Sequence, residues 1–356
     1  MRAQRFIQAS AMLRPEGMGG PARAIPVRLQ PAPPPAKPGR RADEVAWLAY
    51  REAQKTQNLS MKGALISDLR DSMDQEGYGQ RTLLVAVDGS YCNRTVLRQL
   101  PGRVEVVARA RGDIRLFRPL SPTGVGDQRR KYGAELPRPK EVLTDPTIPW
   151  RRAMVFGAGR VHELAYKAVA PVLWRSGTTD KPLRLFVIRP LRYRPRVGGP
   201  LLYRDPAYLL TTNLNSPEEL LLQACFDRWE IEINHRDEKD LLGVGQAQVW
   251  SRQAAWRVPH FQVAVYAMLL LAALQAHGPR RTDAYLPTPK WRREESRRPS
   301  TLDILALLLE ELMEVAIADL HPADGRAHPI RAGPGSQATP AMTPANPLTA
   351  ALYASS

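Results

Sequence analysis

Between Arg228 and Lys239 four charged side chains recur at steps of four, three and four residues: Arg228, Glu232, His235 and Lys239. On a helical period of 3.6 residues those steps place all four on one face. A carboxylate flanked one turn away by an arginine, with a lysine two turns on, suits chemistry on phosphates. The carboxylate offers hard oxygen to a divalent ion while the cations hold backbone charge. The same spacing also describes a solvated face laced with ion pairs, and spacing alone favours that plainer arrangement. Asp88 is the second candidate, because it closes the apolar run TLLVAVD at 82–88. Open α/β sheets gather their ligands at the carboxyl ends of such strands. Aspartate is equally a preferred helix cap, and VDGSY leads toward a helix.

These side chains need elements to hold them. The stretch from Ser216 reads as a helix with an explicit start: Ser216 as cap, Pro217 in the first turn, and Glu219 closing a capping box. Along it Phe226, Trp229 and Ile233 form a second stripe, expected to pack inward. Upstream, RFIQASAML (5–13) and RAIPVRL (23–29) are expected strands, joined to the first helical stretch by the proline-rich connector PAPPPAKPGRR (31–41). That helical pattern runs from Asp43 to Ser72 with a break near Leu59 and Ser60. TLLVAVD is a buried central strand, Tyr91–Leu100 a short helix and Val104–Ala108 another strand, an α/β order. Residues 113–212 alternate short β-rich segments with Pro/Gly/Arg turns, which reads as an antiparallel block inserted into that unit. Two further helices are expected, Trp256–His277 and Ser300–Leu320, separated by the polar break PKWRREESRR (289–298). Residues 322–356 are Ala/Pro/Gly/Ser/Thr-rich and are expected to be without structure.

The bulk properties restrict the partners. A net charge of +16 and a pI near 10.2, with 51 Lys+Arg against 35 Asp+Glu, favour a polyanion, most simply nucleic acid. Arginine carries most of the excess, and its planar fork suits phosphate. Cys92 and Cys225 are the only cysteines and have no metal-ligand spacing, which points to a reducing compartment. The N-terminus has no basic-then-apolar leader pattern. The longest apolar run, Phe261–Ala276, is interrupted by Gln262 and Gln275 and is expected to be a buried helix rather than a membrane span.

Arg228-x3-Glu232-x6-Lys239 followed by LLGVGQAQV resembles the C-terminal signature of bacterial insertion-sequence transposases of the DDE class, in the subgroup with a Tyr-Arg-Glu-Lys motif. The resemblance extends through VAVDGSYCNRTVLRQLP and YRDPAYLLTTN and covers roughly residues 1–278. Where that motif has tyrosine this chain has Cys225. The resemblance implies an α/β, ribonuclease H-like mixed sheet flanked by helices, interrupted by a β-rich insertion, with a helical C-terminal part. The implied units are 1–112 (first part of the catalytic core), 113–212 (insertion), 213–278 (core helices carrying the glutamate), 279–321 (C-terminal helical segment) and the 322–356 tail.

It also implies a chemistry. Asp88 would be the second and Glu232 the third of three acids that hold Mg²⁺ or Mn²⁺ while a DNA strand is cut or joined. Arg228 and Lys239 would contact phosphates at the cleaved end, with Arg236, Arg109 and Arg111 completing the DNA-contacting set. The implied partner is double-stranded DNA at transposon ends, bound by a homodimer in the bacterial cytoplasm at the nucleoid, with no membrane involved. The family's first acid ends a strand ahead of RFIQASAML, and Asp43, Asp68, Asp71 and Asp74 all fall in or beside the first helix. The expectation is therefore an N-terminally truncated transposase with impaired cleavage. Two alternatives stand beside it: a catalytically dead DNA-binding remnant, and another ribonuclease H-like nuclease acting on RNA or branched DNA. Arg98, Arg103, Arg115 and Arg118 are further candidates to track DNA backbone, and Trp150 and Trp174 to stack on an unpaired base.

Overall fold

The computed structural model describes residues 5–15, 17, 20–120, 132–157, 159–178, 181–193, 199–287, 298–320 and 348–354. The polar break expected at 289–298 lies almost wholly outside them. Strands β1 (Phe6–Leu13) and β2 (Arg23–Pro31) form an antiparallel pair. Helix α1 (Glu44–Gln75) comes next, capped by Asp43, whose carboxylate accepts from the Ala46 amide at 2.8 Å. It runs unbroken through Leu59 and Ser60, where the sequence predicted an interruption. Its residues Leu65 and Ile66 are fully buried against the sheet, and that tertiary contact overrides the weak local signal.

Strand β3 (Leu83–Val87) is buried along its whole length, as expected of a strand covered on both faces. Its Leu83, Val85 and Val87 meet Leu65 and Ile66, while Leu84 and Ala86 face the opposite layer. Each such side chain contributes about 1.5–3 kcal/mol on burial, so a charge at Val85 would break the strand. A single 3-10 turn, Gly89–Tyr91, leads into α2 (Arg94–Arg98) and then β4 (Val104–Arg109), parallel to β3.

The β-rich stretch supplies α3 (Pro139–Val142), β5 (Arg151–Gly157), β6 (Arg160–Val172), β7 (Leu183–Ile188), the small hairpin β8 (Arg192–Tyr193) with β9 (Leu202–Tyr203), and β10 (Ala207–Thr211). Its antiparallel character is as expected. It forms no separate sheet for its long strands, however: β10 pairs antiparallel with β4, so β10, β7, β6 and β5 extend the central sheet.

Helices α4 (Glu218–Asp227) and α5 (Trp229–Asp240) meet at Arg228. They are followed by α6 (Arg252–His277) and α7 (Thr301–Leu320). The last strand, β11 (Leu348–Ala354), lies in the tail expected to be without structure. It enters the middle of the sheet, antiparallel to β1 and parallel to β3. The full order is β2-β1-β11-β3-β4-β10-β7-β6-β5. The result is an α/β molecule: one mixed sheet with α1 and α2 on one face, α4 on the other, and a helical C-terminal part.

Helix α6 is the one described helix long and apolar enough to cross a membrane by length and composition, contrary to the shorter apolar segment expected there. It is also less enclosed than expected. One face, with Tyr266, Leu270 and Ala273, is buried against Ile25, Ile304 and Leu307, while Phe261, Val265 and Met268 are exposed.

Candidate functional site

The register fixes which ends of the strands meet. Val87 is opposite Ala108 on one side and Leu352 on the other, and Ile7 is opposite Ala354. Asp88, Arg109, the start of β1 and the end of β11 therefore share one edge of the sheet.

At that edge Asp88 acts as the cap of the 3-10 turn. Its Oδ1 accepts from the Ser90 amide at 2.8 Å and from Ser90 Oγ at 2.5 Å. Lys62 of α1 donates to Ser90 Oγ from below and lies 4.5 Å from the centre of the Tyr91 ring. Burial holds the Lys62 ammonium below its ordinary pKa, with Asp88 pulling the other way. The Tyr91 hydroxyl is pushed well up, chiefly by burial and secondarily by Asp88. Both sequence readings of Asp88 thus describe one residue, a strand-terminal carboxylate that caps the turn after it.

Beside this turn lies a cavity of about 300 Å³ lined by Gly89, Cys92, Arg109, Arg111, Ile114 and Trp174. Trp174 is a core residue on the side opposite α4. Burial pushes the Cys92 thiol up to about 12, which leaves it without thiolate character at neutral pH. Trp150 is 41% exposed, with Lys167 Nζ 4.7 Å and Arg189 5.7 Å from its ring centre.

The single helix expected from Ser216 is two, α4 and α5, with Glu232 on α5, and α4 begins differently from the expected capping box. Pro217 occupies the cap position with no side-chain hydrogen bond. The amides of Asn215 and Ser216 are taken instead by Asn213 Oδ1, at 3.1 and 2.7 Å. Asn213, to which the sequence attached no role, organises the entrance. Glu219 is replaced in importance by Glu218, whose carboxylate receives Arg151 at 2.7 Å and the Tyr166 hydroxyl at 2.7 Å.

Arg228 and Glu232 pair at 3.0 Å, one turn apart and partly exposed. His235 Nδ1 lies 3.3 Å from Glu238 Oε2. Lys239 is exposed, and Arg236 leans on its neighbour Asp237 at 3.0 Å. Both Arg109 and Arg228 act electrostatically on the buried Cys225 thiol, which burial pushes up to about 11 against their pull. Arg111 is held by Asp113 at 2.6 Å, Arg115 by Glu135 at 2.6 Å, Arg98 by the Gly177 carbonyl at 3.1 Å, and Arg103 by Asp74 at 3.5 Å.

The inward stripe is also different from the expected one. Trp229 is 53% exposed. The buried positions are Leu221, Leu222, Gln223, Ala224, Asp227, Ile231, Asn234, Asp237 and Glu238. Sequence reasoning missed their polar members, each of which has a partner elsewhere in the fold. Asp227 pairs with Arg14 and accepts from Gln223 at 2.8 Å. Asn234 donates to the Ala24 carbonyl at 3.0 Å and its Oδ1 lies 3.3 Å from the Tyr266 hydroxyl. Asp237 accepts from Thr301 at 2.7 Å, and Glu238 accepts from Gln8 at 2.9 Å. The signal was available: Gln8 and Ser10 alternate in an otherwise apolar strand and so share one face, and 227, 231, 234 and 238 keep helical spacing.

Among the described residues no group of three or more His, Cys, Asp or Glu is placed to hold a metal ion. No known protein-family model matches the chain, and no curated protein matches it.

Proposed function

We propose that this chain is a DNA-binding protein built on the transposase design, gripping phosphates with Arg109, Arg111, Arg228, Arg236 and Lys239. The observation that carries the reading is the exposure of Arg109, Arg111, Arg236 and Lys239 on a chain of net charge +16. Exposed cations on so basic a chain are what a phosphate backbone requires. The Arg111–Asp113 pair lies in full solvent, where such pairs are weak, so Arg111 is free to exchange its partner for a phosphate. The motif resemblance around Glu232 supports duplex DNA over RNA as the ligand.

The donors do not fit a divalent-metal set as arranged. Asp88 Oδ1 is committed to Ser90, and Glu232 is paired with Arg228. The neighbouring strand β11, LTAALYA, brings no carboxylate to that edge. This arrangement therefore supports no cleavage step through Mg²⁺ or Mn²⁺. Metal-dependent strand cleavage by Asp88 and Glu232 is the second reading, favoured by one feature. Asp88 ends a central parallel strand, the place where open α/β sheets gather their ligands.

Fluorescence anisotropy with a labelled duplex tests the first reading. Binding should weaken steeply with salt, and Arg228→Gln with Lys239→Gln should reduce the log–log salt slope by about one per residue. Salt-independent binding, or none, would overturn it. Cleavage of duplex ends with Mg²⁺, abolished by Glu232→Gln, would establish the second reading in its place.

A further inference from the structure

The slot between β1 and β3 is filled from the far end of the chain. Ile7 to Ala11 pair with Ala354 to Ala350 on one side, and Leu348 to Leu352 pair with Leu83 to Val87 on the other. Everything flanking the slot precedes α2 in sequence, and α7, the element before β11, ends at Leu320. The 27 residues from 321 to 347 therefore separate the strand from the rest of the fold. Fully extended they would span up to roughly 90 Å, several times the width of a sheet.

We propose that this slot is a strand-acceptor site and that two copies of the chain exchange their Leu348–Ala354 strands across it. Without an occupant, β1 and β3 present facing rows of unpaired backbone donors and acceptors in the middle of the sheet. Such edges recruit any strand that fits them. The segment LTAALYA suits a sheet interior: it has no charge and no proline, and it is largely small residues. The bonds it makes are the same whether it comes from its own chain or from another. What chooses between the two is the effective concentration set by the linker, and that falls as the linker lengthens. In a symmetric exchange both slots are filled and no backbone pairing is lost. The exchange depends on backbone pairing alone and is independent of DNA binding.

The test is cross-linking between Ala11 and Ala350, which lie opposite one another in the antiparallel pair. Directly opposed residues bring their Cβ atoms within reach of a disulfide. In a Cys92→Ala, Cys225→Ala background, full-length Ala11→Cys and Ala350→Cys chains are refolded together and oxidised. The expected result is a covalent dimer, absent when either new cysteine is replaced by serine, whose yield rises with protein concentration. A chain carrying both cysteines that cross-links only to itself, while the mixture stays monomeric at every concentration, would overturn the exchange. No cross-link of either kind would overturn the slot assignment itself. The unsubstituted chain decides the matter if the cysteine variants do not fold. Its sedimentation should show a dimer after refolding at high concentration, converted to monomer by excess 346–356 peptide. A monomer at every concentration, or a dimer indifferent to the peptide, would refute the proposal.

Discussion

Two faces of the α4–α5 helices carry polar and charged residues and use them in opposite ways. Arg228, Glu232, His235 and Lys239 lie on a partly exposed face, where Arg228 and Glu232 neutralise one another at 3.0 Å. Asp227, Asn234, Asp237 and Glu238 lie on a buried face, and each is bound by a group from elsewhere in the fold: Arg14, the Ala24 carbonyl, Thr301 and Gln8. Chemistry-bearing residue types do not by themselves mark a reactive surface. On one face they remain available to a ligand, and on the other they fasten the helix to β1, β2 and α7. The difference lies in burial, because an uncompensated polar group costs far more in the interior than in water.

The sharpest way to break this comparison is Arg14→Met. It leaves the Asp227 carboxylate buried without its cation, and stability measured by urea denaturation at pH 7.5 should fall by about 3–5 kcal/mol. The loss should shrink at pH 5, because Asp227 then takes up a proton. Burial already pushes that carboxyl up to about 6 from an ordinary value of 3.8, with Arg14 and Gln223 pulling it back. A raised folded-state value means the folded protein holds the proton more tightly. The contribution of Asp227 to stability is therefore complete below about pH 4 and is lost as pH rises through 6. Denaturation midpoints across that window should slope in the parent protein and flatten in Asp227→Asn. A smaller effect belongs to Tyr266→Phe, which removes the hydroxyl lying 3.3 Å from both Asn234 and Thr301 and should cost about 1 kcal/mol.

On the other face, Arg228→Gln should change stability by less than about 1 kcal/mol while weakening DNA binding, the reverse of the buried substitutions. A large loss of stability there with unchanged binding would erase the distinction between the faces. The least effect is expected of Trp229→Ser. An exposed side chain should be replaceable within about 0.5 kcal/mol, whereas an inward-packed tryptophan would cost about 3–5 kcal/mol.

Local pattern in the sequence reveals the parts of the fold that depend on local pattern. TLLVAVD reads as a central strand because an apolar run between polar boundaries has few other uses, and Leu83–Val87 is buried throughout. Asp88 is legible as both strand end and cap for the same reason. The entrance to α4 differs from its expected form because the turn before it is organised by Asn213, which accepts from the Asn215 and Ser216 amides, so Ser216 is not the cap. Trp229 points outward, against expectation, because a stripe of large apolar residues competes with a buried stripe that is partly polar, and hydrophobicity alone cannot rank the two. The buried polar residues are legible only as positions on a face; which partners they take is not, since Gln8 and Ala24 lie more than two hundred residues away. Strand β11 is hidden most completely. Its seven residues sit beyond a Pro/Gly/Ser/Thr-rich stretch, and only the gap between two distant strands gives them a place.

That strand has a consequence for how the protein is made. A chain leaves the ribosome from its N-terminus, so β1, β2, β3 and β4 emerge long before the strand that joins the first pair to the second. Throughout that interval the two halves of the sheet face one another with their inner edges open, and helices α4 to α7 are completed over an unfinished floor. Folding can begin during synthesis, yet the central sheet closes only once Leu348–Ala354 has cleared the exit tunnel.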